Sequence, residues 1–226
     1  MRIITSWDDG HPLDLKLADM LEKYNIPAIF YIPIKNQETA LSVMSSKEIC
    51  SLSKRFKIGG HTYNHVKLTE VSFEIANKEI VDGKKALEDI VQNEIKSFSY
   101  PCGYYNDNVV ELVKTAGFEY SRSARLINFN NPQISDFINH PNLHFYPHKA
   151  IIDVLHCIKQ KDLYTLKNRI CVLNCRHIEL YKKESFYKGG IFHLWGHSWE
   201  IEKYNLWNKL EDIFDFFNSI SIKNGK

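Results

Sequence analysis

The sequence predicts an α/β domain in which parallel strands are joined by helical crossovers. Short apolar runs rich in β-formers alternate with amphipathic helical stretches from the first residues onward. The 226 residues, 44% hydrophobic and 25% charged, suit one sizeable core and leave little room for disorder. The alternation alone leaves a barrel and a doubly wound sheet both open.

The elements follow in order. Arg2–Trp7 reads as a strand, Leu13–Tyr24 as an amphipathic helix, and Ala28–Ile32 as a second strand. Ser46–Phe56 opens on serines suited to a helix start, and a short strand then runs into Gly59-Gly60. Ser72–Val91 is a long helix and Ser97–Tyr100 a strand. Asp107–Ala116 is a helix closed by Gly117, with Phe118–Ser121 the strand after it. Ile127–Pro147 is rich in Asn and Pro without a period, which predicts a loop-rich insertion. Asp153–Lys183 reads as helical, Gly190–Trp195 as the last strand and Leu206–Phe217 as the last helix. Neither a repeat nor a linker divides the chain, so residues 1–226 are expected to form a single domain.

Charge and cysteine content narrow the function classes. The net charge of +2 is spread over 29 basic and 27 acidic residues without long single-sign runs, giving no electrostatic reason to expect nucleic acid or a membrane surface. No stretch is apolar and long enough to span a bilayer, and MRIITSWDDG places acidic residues where a signal peptide is apolar, so a cytoplasmic protein without membrane insertion is expected. Five cysteines form no CxxC pair, which suits a reducing compartment; Cys171 and Cys175 read as helix packing residues.

In both barrels and open sheets, sites gather beyond the C-terminal strand ends. The first strand ends in SWDDGHP, with adjacent carboxylates on Asp8 and Asp9. By itself this is a weak signal, and a solvated turn is the plainer reading. The third ends in GGHTYNH, where His61 and His65 stand four apart; in a helical turn both imidazoles would share one face and could share a metal. Two surface histidines is the plainer alternative. With an Asp from another strand end, however, they supply two nitrogens and one carboxylate, a half-open ligand set. The last strand ends in GGIFHLWGHSWE, where His193 reads as a core histidine and His197, past the strand end, is the better acid. Trp195 and Trp199 are core residues or flat faces for sugar rings.

These three places, in this order, resemble the polysaccharide-deacetylase (NodB-like) family over most of the chain. Thr5-Ser6-Trp7-Asp8-Asp9-Gly10 is similar to its T-F-D-D-G motif, His61-Thr62-Tyr63-Asn64-His65 fits H-[ST]-x-x-H, and Trp195-Gly196-His197 is similar to its last motif. The resemblance implies a distorted (β/α) barrel holding a divalent metal, commonly zinc, on Asp9, His61 and His65. It also implies Asp8 as catalytic base and His197 as general acid, and hydrolysis of the N-acyl group of an amino sugar. The family's R-x-P-Y motif is replaced by Ser99-Tyr100-Pro101-Cys102, so its arginine and its aromatic ring are both missing. The backbone N–H of Cys102 is still expected to hold an oxyanion, with Pro101 beside the substrate and Arg122 as a candidate replacement for the arginine. The D-x-x-D-W motif has no counterpart; Glu200 is the candidate partner of His197.

The expected substrate is an N-acetylated sugar on a small intracellular acceptor. Two alternatives stay open at this point. One is a related hydrolase acting on a ureide or cyclic imide, the other a carbohydrate-binding protein that has lost the chemistry.

Overall fold

The computed structural model describes residues 2–130, 137–183, 186 and 190–224, the last four by backbone alone. Among the described residues, seven strands form one sheet in the order β5-β4-β3-β2-β1-β7-β6, and every pairing is parallel. The strands are β1 (Arg2–Asp8), β2 (Ala28–Ile32), β3 (Lys57–Gly60), β4 (Ser97–Ser99), β5 (Tyr120–Arg122), β6 (Leu143–His144) and β7 (Ile191–Gly196). Helices α1 (Asp14–Lys23), α2 (Ser46–Ser53), α3 (Phe73–Val91) and α4 (Asp107–Thr115) follow the first four strands. Their buried stripes, such as Leu17 and Leu21 of α1 or Val109 and Val113 of α4, pack on the convex face of the sheet. The alternation that predicts the class is therefore realised almost element for element.

The sheet is curled into a half-barrel. In a flat sheet β1 and β5 would stand four strand spacings apart, about 19 Å. Here the Arg122 side chain at the end of β5 reaches the Asp8 carboxylate at the end of β1.

The segment expected as a loop-rich insertion, 127–147, contains what closes the curl; its residues 131–136 lie outside the described set. Asn139 bridges to Arg122 at the β5 edge, through Ser123 N–H to its carbonyl (2.9 Å) and its own N–H to Ser121 (3.0 Å). A few residues later β6 pairs with β7, and Phe145 N–H donates to Trp195 O at 2.7 Å. Residues 139–145 thus tie the two edges of the sheet together. A two-residue strand in an Asn- and Pro-rich stretch has no period to read.

Further differences are local. Asp153–Lys183 is not one helix but α5 (Ala150–Lys159), α6 (Leu163–Ile170) and a 3₁₀ turn over His177–Lys182, with Lys161 left-handed (φ 53°) between the first two. Cys171 is exposed at the end of α6 rather than packed, while Cys175 is half-buried. A short helix α7 (Ser198–Lys203), which the periodicity does not reveal, follows β7, and α8 spans Trp207–Asn224.

One packing detail sets up the site. A Cβ on Gly83 of α3 would stand 2.6 Å from the Thr62 carbonyl carbon, so only glycine lets α3 approach the His61–His65 loop. Gly83→Ala should destabilise the protein by about 1–3 kcal/mol, because overpacking outweighs alanine's better helix propensity. Thermal unfolding beside an exposed control, Lys85→Ala, checks this; equal stability of the two variants would refute the account of Gly83.

Candidate active site

Five strand ends, those of β1, β3, β4, β5 and β7, supply the site. β1 delivers Asp8 and Asp9, and the chain turns at once: Asp9 is left-handed (φ 77°), so the adjacent carboxylates take different directions although both are buried. Asp8 lies on the concave side, where Arg122 Nη2 donates to Oδ1 and Ser99 Oγ donates to Oδ2 at 3.2 Å. The guanidinium is itself buried, over the rings of Tyr31 (4.8 Å) and Trp195 (5.1 Å). Arg122 therefore stands on Asp8 from β5, and Ser99 occupies the place of the family's arginine as a hydrogen-bond donor.

Asp9 faces the histidines. His65 Nε2 lies 3.2 Å and His61 Nε2 3.8 Å from its Oδ1, while Trp199 Nε1 donates to Oδ2 at 2.8 Å. Their spacing of four does not work through a helical turn, as the sequence suggests. The loop has two left-handed residues, Thr62 (φ 66°) and His65 (φ 58°). It is held from α3 by Glu79, whose carboxylate accepts from the N–H groups of Tyr63 (3.1 Å) and Asn64 (2.8 Å).

Protonation states follow from partners. The Ser99 carbonyl 2.7 Å from His61 Nδ1 can only accept, so that nitrogen carries the proton and Nε2 presents its lone pair toward Asp9. Burial, aided by the neighbouring His65, holds the His61 pKa down at about 4, so the ring is neutral. Burial also pushes Asp9 upward, but His197 and then His65 outweigh it and hold the carboxyl well below its ordinary range. Asp9 Oδ1 is buried without a hydrogen-bond partner, and the donor atoms of Asp9, His61 and His65 lie within 4.8 Å of one another. An orphaned carboxylate oxygen facing two imidazole nitrogens fits a divalent cation. Glu38, from the loop after β2, stands 3.1 Å from the outer nitrogen of His65 and also accepts from Cys102 Sγ at 3.2 Å.

His197 leaves β7 and points its Nε2 toward Asp9 Oδ2, 3.9 Å away. Its Nδ1 donates to Glu200 Oε2 at 2.6 Å, and that oxygen also accepts from His144 Nε2 at 3.1 Å. Burial lowers the His197 pKa, but the charges of Asp9 and Glu200 prevail and push it up to about 9. Glu200, three residues on, is on the first turn of α7, so the short helix places the carboxylate behind the ring. His144, Glu38 and Glu79 were not legible as site residues. They lie in stretches with no motif, and only the fold gathers them.

The turn after β4 places Cys102 at φ 54°. Its neighbours Gly103 and Tyr104 donate their N–H groups to Tyr100 and Pro101. The thiol is pushed up to about 12 by burial and then by Glu38, which keeps it uncharged at neutral pH. Two expected substrate contacts are corrected. Pro101 is buried inside its turn. Trp195 is 4% exposed, stacked on His144 at 4.0 Å, with its Nε1 donating to Arg125 O, so both ring faces are covered and it is a wall rather than a sugar platform. Trp199, half-buried, keeps part of its ring at the mouth. His193 is a buried neutral histidine against Ser6, its pKa held near 3 by burial and by Arg122.

Residues 2–121 match the polysaccharide deacetylase family profile. The peptidoglycan-N-acetylglucosamine deacetylase of Bacillus cereus is 31% identical over 144 residues, 61% of this chain and 65% of that relative. The chain spans less than two thirds of the curated relatives it matches. Among solved structures, a Mycobacterium smegmatis protein provisionally assigned as a polysaccharide deacetylase superposes with TM-score 0.63 at 12% identity, covering 96% of this chain and 84% of that one. The Streptococcus pyogenes deacetylase PplD, in complex with acetate, gives 0.53 at 18% identity over 66% and 67%. These likenesses establish the half-barrel as the fold of those proteins.

If Asp9, His61 and His65 form one cation site, His61→Ala and His65→Ala should each lose zinc affinity by more than about 100-fold. Competition titration against a chromophoric chelator reads this; undiminished affinity in both variants would reject the site.

Proposed function

Because the chain belongs to the polysaccharide deacetylase family, we propose that it is a metal-dependent hydrolase removing an N-acetyl group from an amino sugar of a glycan or glycan precursor. The observation that carries this reading is the division of two adjacent buried carboxylates, one toward Arg122 and Ser99 and the other toward two imidazoles. The name of the Bacillus cereus relative supports an N-acetylglucosamine unit as the sugar.

An amide resists hydrolysis because its carbonyl is a poor electrophile and its amine a poor leaving group. A divalent cation, zinc being the proposed one, would be held by Asp9, His61 and His65 and would supply Lewis-acid polarisation and lower the pKa of water. Asp8, oriented by Arg122 and Ser99, takes the proton of the attacking water. The Cys102 N–H donates to the developing oxyanion, a role that needs no side chain. His197 gives its Nε2 proton to the departing nitrogen, and Glu200 holds the Nδ1 proton in place so that Nε2 is the one released. Acetate and a free amine result. Trp199 suits the apolar face of the sugar, and we extend the reading to a small intracellular acceptor, a nucleotide, a lipid or a short glycoside, as carrier of the substrate sugar.

Acetate release from N-acetylglucosamine oligosaccharides and small N-acetylhexosamine derivatives tests this. Wild type should be active, while Asp8→Asn and His197→Ala should keep bound metal yet lose on the order of 10²–10⁴ in rate. Near-normal turnover in Asp8→Asn would remove it from the mechanism, and activity on ureides alone would overturn the sugar reading. Glu200→Gln should shift the alkaline limb of kcat/KM to lower pH. The Glu200 anion favours the imidazolium, so without it His197 loses its proton sooner. A limb that stays in place would show that Glu200 does not set the acid.

A further inference from the structure

The α5–α6 hairpin buries a polar cluster beside Cys157 of the hydrophobic core and Leu166, which packs against that core. Asp153 of α5 accepts from Arg169 Nε of α6 at 2.8 Å, with His177 Nδ1 at 2.7 Å from its other oxygen, and all three are fully buried. Its exposed face is apolar. Ile151, Leu155 and Ile158, at i, i+4 and i+7 of α5, are 57%, 58% and 56% exposed, and Leu163 and Ile170 of α6 are 76% and 49% exposed. A contiguous apolar surface of this kind marks an interaction site.

Charge says what would cover it. Residues 149–176 contain six basic and two acidic side chains, so the even balance of the whole chain conceals a locally basic face. Both acids are withdrawn, Asp153 into the cluster and Asp162 onto Arg125. Lys149, Lys159, Lys161 and Lys167 are exposed, and none forms an ion pair with a described residue. Exposed Ile and Leu interspersed along the chain with exposed lysines is the composition of an interfacial amphipathic element. A second copy would bring the same lysines face to face, which disfavours self-association.

We propose that the α5–α6 hairpin docks this protein on the surface of a bilayer containing anionic lipid, its apolar side chains entering the interface and its lysines meeting the headgroups. This is surface attachment, distinct from spanning: no helix among the described residues is long and apolar enough to cross a membrane. It does not depend on the catalytic reading, since its test measures partition alone.

Sedimentation of the full chain with vesicles of phosphatidylglycerol and phosphatidylcholine (3:7), and of phosphatidylcholine alone, tests it. Wild type should pellet with the anionic vesicles and be released by high salt. The variants Leu155→Glu/Ile158→Glu and Lys159→Glu/Lys161→Glu/Lys167→Glu should each lose binding, the latter by about 10²-fold. All five positions are exposed, and circular dichroism verifies that the variants fold. Absence of vesicle binding by wild type, or binding that either variant retains, would overturn the proposal. So would a dimer in light scattering that the Leu155→Glu/Ile158→Glu substitutions dissociate.

Discussion

The structure depends on the separate compensation of two adjacent buried carboxylates. Asp8 and Asp9 are consecutive residues, 2% and 4% exposed. Placing two like charges side by side away from water is affordable only when each has a partner of its own. The left-handed turn at Asp9 sends the pair in different directions, one to a guanidinium and a hydroxyl, the other to imidazoles and an indole N–H. Removing one partner from such a buried pair typically costs about 3–5 kcal/mol, because the remaining charge is left uncompensated. The site is thus bound up with the stability of the fold.

The curvature of the sheet follows the same logic. Arg122 reaches Asp8 only if β5 swings round toward β1, and residues 139–145 hold that curl by bonding to both edges. The same segment carries His144 behind Glu200, so barrel closure and the setting of His197 are one structural event. The short helix α7 performs the complementary task, turning the chain so that Glu200 falls behind His197. Departures from the family's motifs are answered in space. The missing arginine and the missing acidic partner both have physical substitutes that come from other places in the chain.

That pattern explains what was legible in the sequence. The α/β class, the first five strands and the last, and Asp8, Asp9, His61, His65 and His197 stand out because they are local: periodicity defines the elements, and strand-end clusters define the residues. Arg122 and Glu200 could be named as candidates, since Arg122 ends a strand and Glu200 lies one turn from His197. Their contacts could not be read, because they rest on the curl and on α7. His144, Glu38 and Glu79 had no signal, as each acts through another residue from a stretch without a motif. Trp195 misled for a related reason. Its place beside His197 suggests an open ring, but stacking on His144 closes one face and Arg122 the other.

The central claim, that neighbouring carboxylates have different work, is tested most directly by equilibrium zinc binding to Asp9→Asn and Asp8→Asn measured side by side. The account predicts that Asp9→Asn loses on the order of 100-fold or more in affinity, while Asp8→Asn, whose carboxylate is turned toward Arg122, stays within about tenfold of wild type. Equal losses in the two variants, or a greater loss in Asp8→Asn, would contradict it.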